Sequence, residues 1–290
     1  MFIDSEVENH TVSILCKVMN VSRSGYYAWK TRELSLRARE DEELRVIILE
    51  TFTENRSVYG ARRLRQALRK KGVYISKRRC SRLMRDLGIR GVSKRKGRPK
   101  PAKTTPEING ISDLVNRNFT ADKPNMIWFA DITYVKTKMG WLYLAVVFDI
   151  YSRIVVGWSM DTTMTAKLVD DALRMGVARR QPPIGLLHHT DRGSQYLSLM
   201  LSNTLRHFGI TPSVGMVRSP WDNAACESLI STIKAECTDV YTYDSFEQAK
   251  LDIFDYIEVF YNRIRIHTSI EMMSPMEFED RYYAGSAKAS

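Results

Sequence analysis

Three carboxylates stand at positions where an acid needs a reason. Asp131 lies in WFADITYV, Asp191 in HTDRGSQY and Glu227 in DNAACESLISTIKAE. Period-2 alternation puts Phe129, Asp131, Thr133 and Val135 on one face of a strand, and Trp128, Ala130, Ile132 and Tyr134 on the other. Asp131 thus brings a charge into the middle of an apolar strand, and a buried carboxylate is normally paired or metal-bound. Asp191 closes the apolar strand IGLLHHTD, and strand ends of open α/β sheets feed the ligand crevice. Glu227 falls in the first turn of a helix with Leu229, Ile230 and Ile233 on its apolar side. Ser231 and Lys234 share one stripe with Glu227, four and seven residues on. Two sheet acids and one helix acid can converge on one hard cation, and oxygen ligands select Mg²⁺ or Mn²⁺.

Each acid also has a plainer reading. Asp131 can be salt-bridged to a core Lys or Arg. Asp191 can be a turn residue before Gly193. Glu227 can answer the helix dipole on a solvated face. The residues alone leave both sets of readings open.

The elements that position these acids emerge from periodicity. NMIWFADITYVKT (125–137), WLYLAVVFDI (141–150) and RIVVGWSM (153–160) read as three strands in a meander. Helix 165–180, strand 184–191, helix 196–209, short strand 210–216, the Glu227 helix and a long amphipathic helix 246–264 come after them. The order β-β-β-α-β-α-β-α-α implies an α/β fold, a mixed sheet covered by helices.

Ahead of the sheet the chain is helical: 12–30 as two short helices, with Ser22 and Ser24 as N-cap candidates, then 34–54. Charge is one-sided in the next segment. Residues 59–105 hold 18 Lys and Arg against one acid, Asp86, and every other region is slightly acidic. That block is the footprint of a polyanion binder, with nucleic acid as the polyanion. It resolves into YGARRLRQALRKKG (59–72) and VYISKRRCSRLMRDLG (73–88). Ser76 caps the second helix and Gly72 and Gly88 close the two. Cys80, Leu83, Met84 and Leu87 turn inward, leaving Lys77, Arg78, Arg79, Arg82 and Arg85 outside. This is a helix-turn-helix pattern, although a basic hairpin that only neutralises phosphates fits too. GVSKRKGRPKPAKTTPE (91–107), with three Pro, two Gly and six basic residues, reads as an extended basic linker. The predicted organisation is a helical region 1–58, a basic helix-turn-helix region with linker 59–105, a linker 106–122 and a core 123–285.

Composition narrows the class further. Cys16, Cys80, Cys226 and Cys237 are scattered without a C-x-x-C, which argues against a zinc ribbon or disulfide framework and fits a reducing cytoplasm. No run of 18 apolar residues and no leader-like start predict neither a membrane span nor a signal peptide.

At the level of motifs the sequence becomes specific. WFADITYV, HTDRGSQY and DNAACESLISTIKAE resemble the three catalytic motifs of the integrase-type DDE transposases of bacterial insertion sequences, relatives of retroviral integrases. Asp191 and Glu227 are separated by 35 residues, and Lys234 stands where that family carries a basic residue. FDIYSRIVVGW, YNRIRIHTSIEMMSPMEF and the basic block resemble further parts of the family, so the likeness spans nearly the whole chain. Ala130 departs from it, where many relatives have a hydroxyl residue.

The resemblance implies a ribonuclease-H-like core preceded by a small all-α helix-turn-helix domain. It implies that Asp131, Asp191 and Glu227 ligate two divalent ions, Mg²⁺ or Mn²⁺, for cleavage and 3′-OH strand transfer on double-stranded DNA. It places Lys234, Asn223, Ser194 and Gln195 near DNA. For His189, His267, Asn262 and Arg265, functional and structural roles stand open together. A homo-oligomer of at least two copies is expected in the active complex, in a nucleoid-associated cytoplasmic setting. The chain resembles a second-reading-frame product, with a first-frame portion as a fusion partner. The rival reading is a DNA-binding regulator or a catalytically inactive element product.

Overall fold

A computed structural model describes residues 2–93, 112–115, 120–191, 193–215 and 224–286. The predicted linker 94–105, most of 106–122, Arg192 and Asn223 lie outside the described residues. The chain divides into two compact units, Met1–Glu50 and Thr51–Ser290.

The first unit holds helices α1 (Phe2–Glu6), α2 (Val12–Val18) and α3 (Arg23–Thr31), with most of α4 (Leu36–Glu54). Its core is Ile3, Leu15, Cys16 and Tyr26. The Ser22 hydroxyl accepts from the Gly25 N–H at 3.0 Å and caps α3. Ser24, the other cap candidate, lies inside the first turn of that helix.

In the second unit, α5 (Ala61–Lys70) packs against α6 (Lys77–Asp86). Cys80, Leu83 and Met84 are buried as the spacing predicts, against an α5 face of Leu64, Ala67 and Leu68. Ser76 accepts from the Arg79 N–H at 3.1 Å, and Gly72 and Gly88 take the left-handed backbone that ends each helix, φ 82° and 67°.

This hairpin is built onto the core. The Tyr59 hydroxyl accepts from the Ile266 N–H at 2.7 Å and donates to the Ile264 carbonyl at 3.2 Å. Lys70 Nζ lies 2.5 and 2.6 Å from the two Glu277 oxygens. Behind the hairpin the chain doubles back: Val92 N–H donates to the Val58 carbonyl at 3.1 Å. A side chain on Gly91 would come within 2.2 Å of the Gly60 nitrogen.

The sheet has the order β3-β2-β1-β4-β5, with β1 (Ile127–Thr137), β2 (Gly140–Asp149), β3 (Val155–Asp161), β4 (Leu187–Thr190) and β5 (Thr211–Val214). The meander β1–β2–β3 is antiparallel. β4 and β5 join parallel, with Phe129 beside His189. This is the mixed sheet that the element order predicts, and it fits the ribonuclease-H-like core that the resemblance implies. One face buries Trp128, Ala130, Val147 and Val156 with α7 (Ala166–Arg180) and α8 (Leu199–His207), through Leu168, Leu173, Leu201 and Leu205. Helix α9 (Ala224–Ile233) packs against β1.

The C-terminal helices differ from expectation. Lys234–Thr238 continues α9 as a π-helical turn. The predicted helix 246–264 is α10 (Phe246–Phe254) followed by a π-helical segment, Asp255–Tyr261. A further helix, α11 (Pro275–Ser286), closes the chain.

Candidate active site

β1 carries Asp131 to the centre of the sheet, opposite Val146 of β2. β4 ends one residue before Asp191, and α9 presents Glu227 in its first turn. Asp131 and Glu227 line one cleft of about 610 Å³, with Ser231 and Lys234 on the stripe that helical spacing predicts. Ile230 also faces this cleft rather than the core.

The electrostatics tie the three acids together. Burial, then the charge of Asp191 and that of Glu227, push the Asp131 carboxyl up to about 7. The Ile132 N–H, donating to Asp131 Oδ1 at 2.8 Å, and the Lys234 ammonium pull the other way. The alternative of a core salt bridge is not what the structure has: among the described residues no Lys or Arg pairs with Asp131.

Asp191 is accessible at the strand end, but its surroundings desolvate the carboxyl and raise its pKa. The Gly193 N–H, donating to its Oδ1 at 3.0 Å, opposes that shift. The turn reading of Asp191 is therefore also real. Gly193 is small for cause, since a Cβ there would lie 3.1 Å from Asp191 Oδ1.

Among the described residues, no group of three His, Cys, Asp or Glu side chains is close enough together to hold a metal ion. The chemistry of the donor set still fits a hard divalent cation. Asp131 is a half-buried carboxylate facing two like charges, and one ammonium does not balance three acids. Oxygen donors of this kind suit Mg²⁺ or Mn²⁺.

Lys234 Nζ sits 4.3 Å from the centroid of the exposed Tyr134 ring, which itself stands edge-on to Trp141 at 5.1 Å. Ser194 is exposed, and Gln195 Nε2 donates to the Met164 carbonyl at 3.4 Å. Sequence reasoning missed three polar residues of the cleft, Ser93, Tyr134 and Asp239, and the apolar Ile132 and Ala235. Period 2 sets Tyr134 on the strand face opposite Asp131, so alternation alone gives no signal for its place at the cleft. Ser93 arrives only because the α5–α6 hairpin docks on the core, and Asp239 only because a π turn comes after Lys234.

The four residues with open roles have structural partners. His189 is buried, its Nδ1 2.9 Å from Ser213 Oγ and its ring against Phe129. Asn262 copies a strand edge, accepting from the Val155 N–H at 2.9 Å and donating to its carbonyl at 3.0 Å. Arg265, 1% exposed, forks onto both Glu236 oxygens at 2.6 Å. His267 stands edge-on to Tyr261 with centroids 4.9 Å apart.

On α6, Lys77, Arg78 and Arg85 are exposed. Arg79 and Arg82 are half-buried, with Arg82 3.7 Å from Asp86. Among the described residues no helix is long and apolar enough to cross a membrane.

A helix-turn-helix-like pair ahead of a five-stranded sheet with an acidic cleft defines the class, an integrase-core protein with an HTH-like region. An Integrase core domain model matches residues 121–220, a second one 227–282, and an HTH-like domain model 38–97. The matched stretches contain Asp131, Asp191 and Glu227. The Shigella sonnei "Insertion element IS600 uncharacterized 31 kDa protein" is 37% identical over 94% of this chain and 100% of its own length. The Escherichia coli (strain K12) "Transposase InsF for insertion sequence IS3A" is 35% identical over 98% of this chain and 99% of its own. The chain belongs to this family of insertion-sequence transposases. Among solved structures, a simian T-cell lymphotropic virus intasome chain is 17% identical, covering 74% of this chain and 70% of its own, with a TM-score of 0.46. The HTLV-2 integrase catalytic core domain in complex with magnesium is 17% identical over 55% of this chain and 99% of its own, TM-score 0.41.

Proposed function

We propose that this chain cuts DNA at insertion-sequence ends and joins the freed 3′ end to new DNA. The observation that carries this is the pair Asp131 and Glu227 on one cleft beside Lys234, with the charges of Asp191 and Glu227 both adding to burial in raising the Asp131 carboxyl. Asp131, Asp191 and Glu227 would hold Mg²⁺ or Mn²⁺, and a bound divalent ion supplies activation of the attacking oxygen and neutralisation of the leaving one.

The two displacements need no protein nucleophile. Water adds to phosphorus at the element end, the 3′ oxygen leaves with a proton, and the flank keeps the 5′-phosphate. The freed 3′-OH then attacks a target phosphodiester, forming a new P–O bond and releasing a target 3′-OH. Lys234, at the cleft wall, supplies a point charge for a phosphate oxygen. Asp191 and Glu227 are both accessible to solvent.

Residues 59–105 bind the duplex in this reading, through Lys77, Arg78, Arg79, Arg82 and Arg85, and 123–285 carry out the chemistry. Two ends must meet, so the active form contains at least two copies.

The test is an oligonucleotide assay with a labelled element end, target DNA and Mg²⁺. Wild type should give nicked and joined products, and Asp131→Asn should give neither while still binding DNA. Joined product from Asp131→Asn would remove the assignment. Binding without any product from wild type would favour a regulator.

A further inference from the structure

On the side of α9 turned away from Glu227 lies a second cleft, of about 300 Å³. Ala225, Ser228, Leu229 and Thr232 recur at i, i+3, i+4 and i+7 and so form its helical wall. Glu227, Ser231 and Lys234 occupy the opposite face of the same helix. Arg153 enters from the β2–β3 turn, where its backbone takes φ 65°. Tyr261, His267 and Ser269 add to the polar lining, and among the described residues no Asp or Glu contributes to it.

Arg153 is the anomaly. Every other strongly desolvated Arg among the described residues has a carboxylate at hand: Arg56 has Asp252, and Arg63 and Arg265 have Glu236. Arg153 has no ion pair among the described residues, and burial lowers its pKa with only Tyr261 and Cys226 opposing. A cation held away from water is normally matched by a partner. Among the described residues the cleft offers hydroxyl and imidazole groups around the guanidinium but no anion.

We propose that this cleft is a phosphate-binding site, which takes one backbone phosphate of the bound DNA on the Arg153 guanidinium, with Ser269 at its rim. Arg suits the task because its planar fork matches two phosphate oxygens. The proposal rests on the DNA-binding reading above. It gives α9 two contacts with DNA, one through the catalytic stripe and one behind it. Neither the charge census nor the carboxylate motifs point to this second contact.

The experiment is fluorescence anisotropy of the full chain with a labelled duplex, from 50 to 200 mM salt. Losing one phosphate contact should weaken binding and reduce the steepness of log K against log salt by about 0.9. Arg153→Gln should therefore lose about threefold less affinity than wild type across that range. Ser269→Asp, at an exposed position, sets a carboxylate beside Arg153 and should weaken binding at low salt. It decides the matter alone if Arg153→Gln does not fold. Folded variants that match wild type in affinity and slope overturn the site. A wild-type chain that binds no duplex overturns the DNA reading and this site with it, and the two failures are told apart by the wild-type curve.

Discussion

Gly157 of β3 and Gly176 of α7 meet backbone to backbone. A methyl group on Gly157 would lie 2.7 Å from the Gly176 nitrogen and 2.1 Å from the Ala172 carbonyl oxygen. Neither backbone can retreat without moving the helix off the sheet. Gly157→Ala should cost about 1–3 kcal/mol or more, as overpacking does. Gly176→Ala should cost less, because its nearest neighbours are the side chains of Trp128 and Val156 at 3.2 Å. Urea midpoints of the two variants check the order; equal losses would refute the close approach.

His188 should make the fold acid-sensitive. It is buried in β4 with no hydrogen-bond partner for Nε2 among the described residues, and desolvation lowers its pKa to about 4. The folded state therefore keeps the ring neutral while the unfolded chain protonates near 6.5. Stability is fully present above pH 6.5 and is lost as pH falls toward 4. The loss is about 3 kcal/mol at 1.36 kcal/mol per unit. Urea midpoints between pH 7 and 4 should fall more steeply for wild type than for His188→Phe. Parallel curves would remove His188 as the cause.

Much of the fold was legible because the three meander strands are 11, 10 and 7 residues long. The alternation around Asp131 and the inward stripe of Cys80, Leu83 and Met84 are both local patterns. The C-terminal helix α11 also has a local signal, one that periodicity alone does not reveal. Ser274 and Glu277 form a reciprocal cap, Ser274 N–H to Glu277 Oε2 at 2.8 Å and Glu277 N–H to Ser274 Oγ at 3.3 Å, with Pro275 at the first helical position. Other features have no local signature. The π turn that brings Asp239 to the cleft depends on what α9 packs against. The Glu236–Arg265 pair joins residues 29 apart, and Ser93 reaches the cleft only through Tyr59 and its contact with Ile266.

Divalent metal should stabilise the fold through the acidic cleft. The mutual repulsion of Asp131, Asp191 and Glu227 is relieved by a bound cation, which favours the folded state by mass action. At a hundredfold excess over its dissociation constant the gain is about 2.7 kcal/mol. Mg²⁺ or Mn²⁺ should raise the melting temperature of wild type, leave Asp131→Asn nearly unmoved, and lose its effect on adding EDTA. An equal shift in both proteins would place the ion elsewhere.

DNA binding should be steeply salt-dependent. The hairpin α5–α6 and its continuation carry the excess positive charge of the whole chain. With about 6–10 phosphate contacts, affinity should drop ~10³–10⁵ between 50 and 200 mM salt. Alanine at exposed Arg78 or Arg85 should each remove about one unit of slope. Arg82→Ala should remove less, since Asp86 already holds that side chain. A flat response would contradict the assignment of 59–105 to DNA.

The Arg265–Glu236 pair should be a structural fastener of the cleft. Both groups are buried, and Tyr256 adds a third hydrogen bond to Glu236 Oε2 at 2.9 Å. Burial works against the Arg265 charge, but the Glu236 carboxylate more than offsets it and holds the guanidinium pKa above its ordinary value. Arg63 of α5 stands 3.6 Å from the same carboxylate, so the pair also ties the basic hairpin to the turn after Lys234. Arg265→Ala strands a buried anion and should cost about 3–5 kcal/mol. Arg265→Lys keeps the charge but loses the fork, and should fall between. The double change Arg265→Met with Glu236→Leu removes both charges and should recover only part of the loss, because Arg63 and the Tyr256 hydroxyl then lose Glu236 as their partner. Thermal unfolding of the four proteins tests this. A single Arg265→Ala loss below about 1 kcal/mol, the range of an exposed pair, would mean that other contacts fasten the cleft.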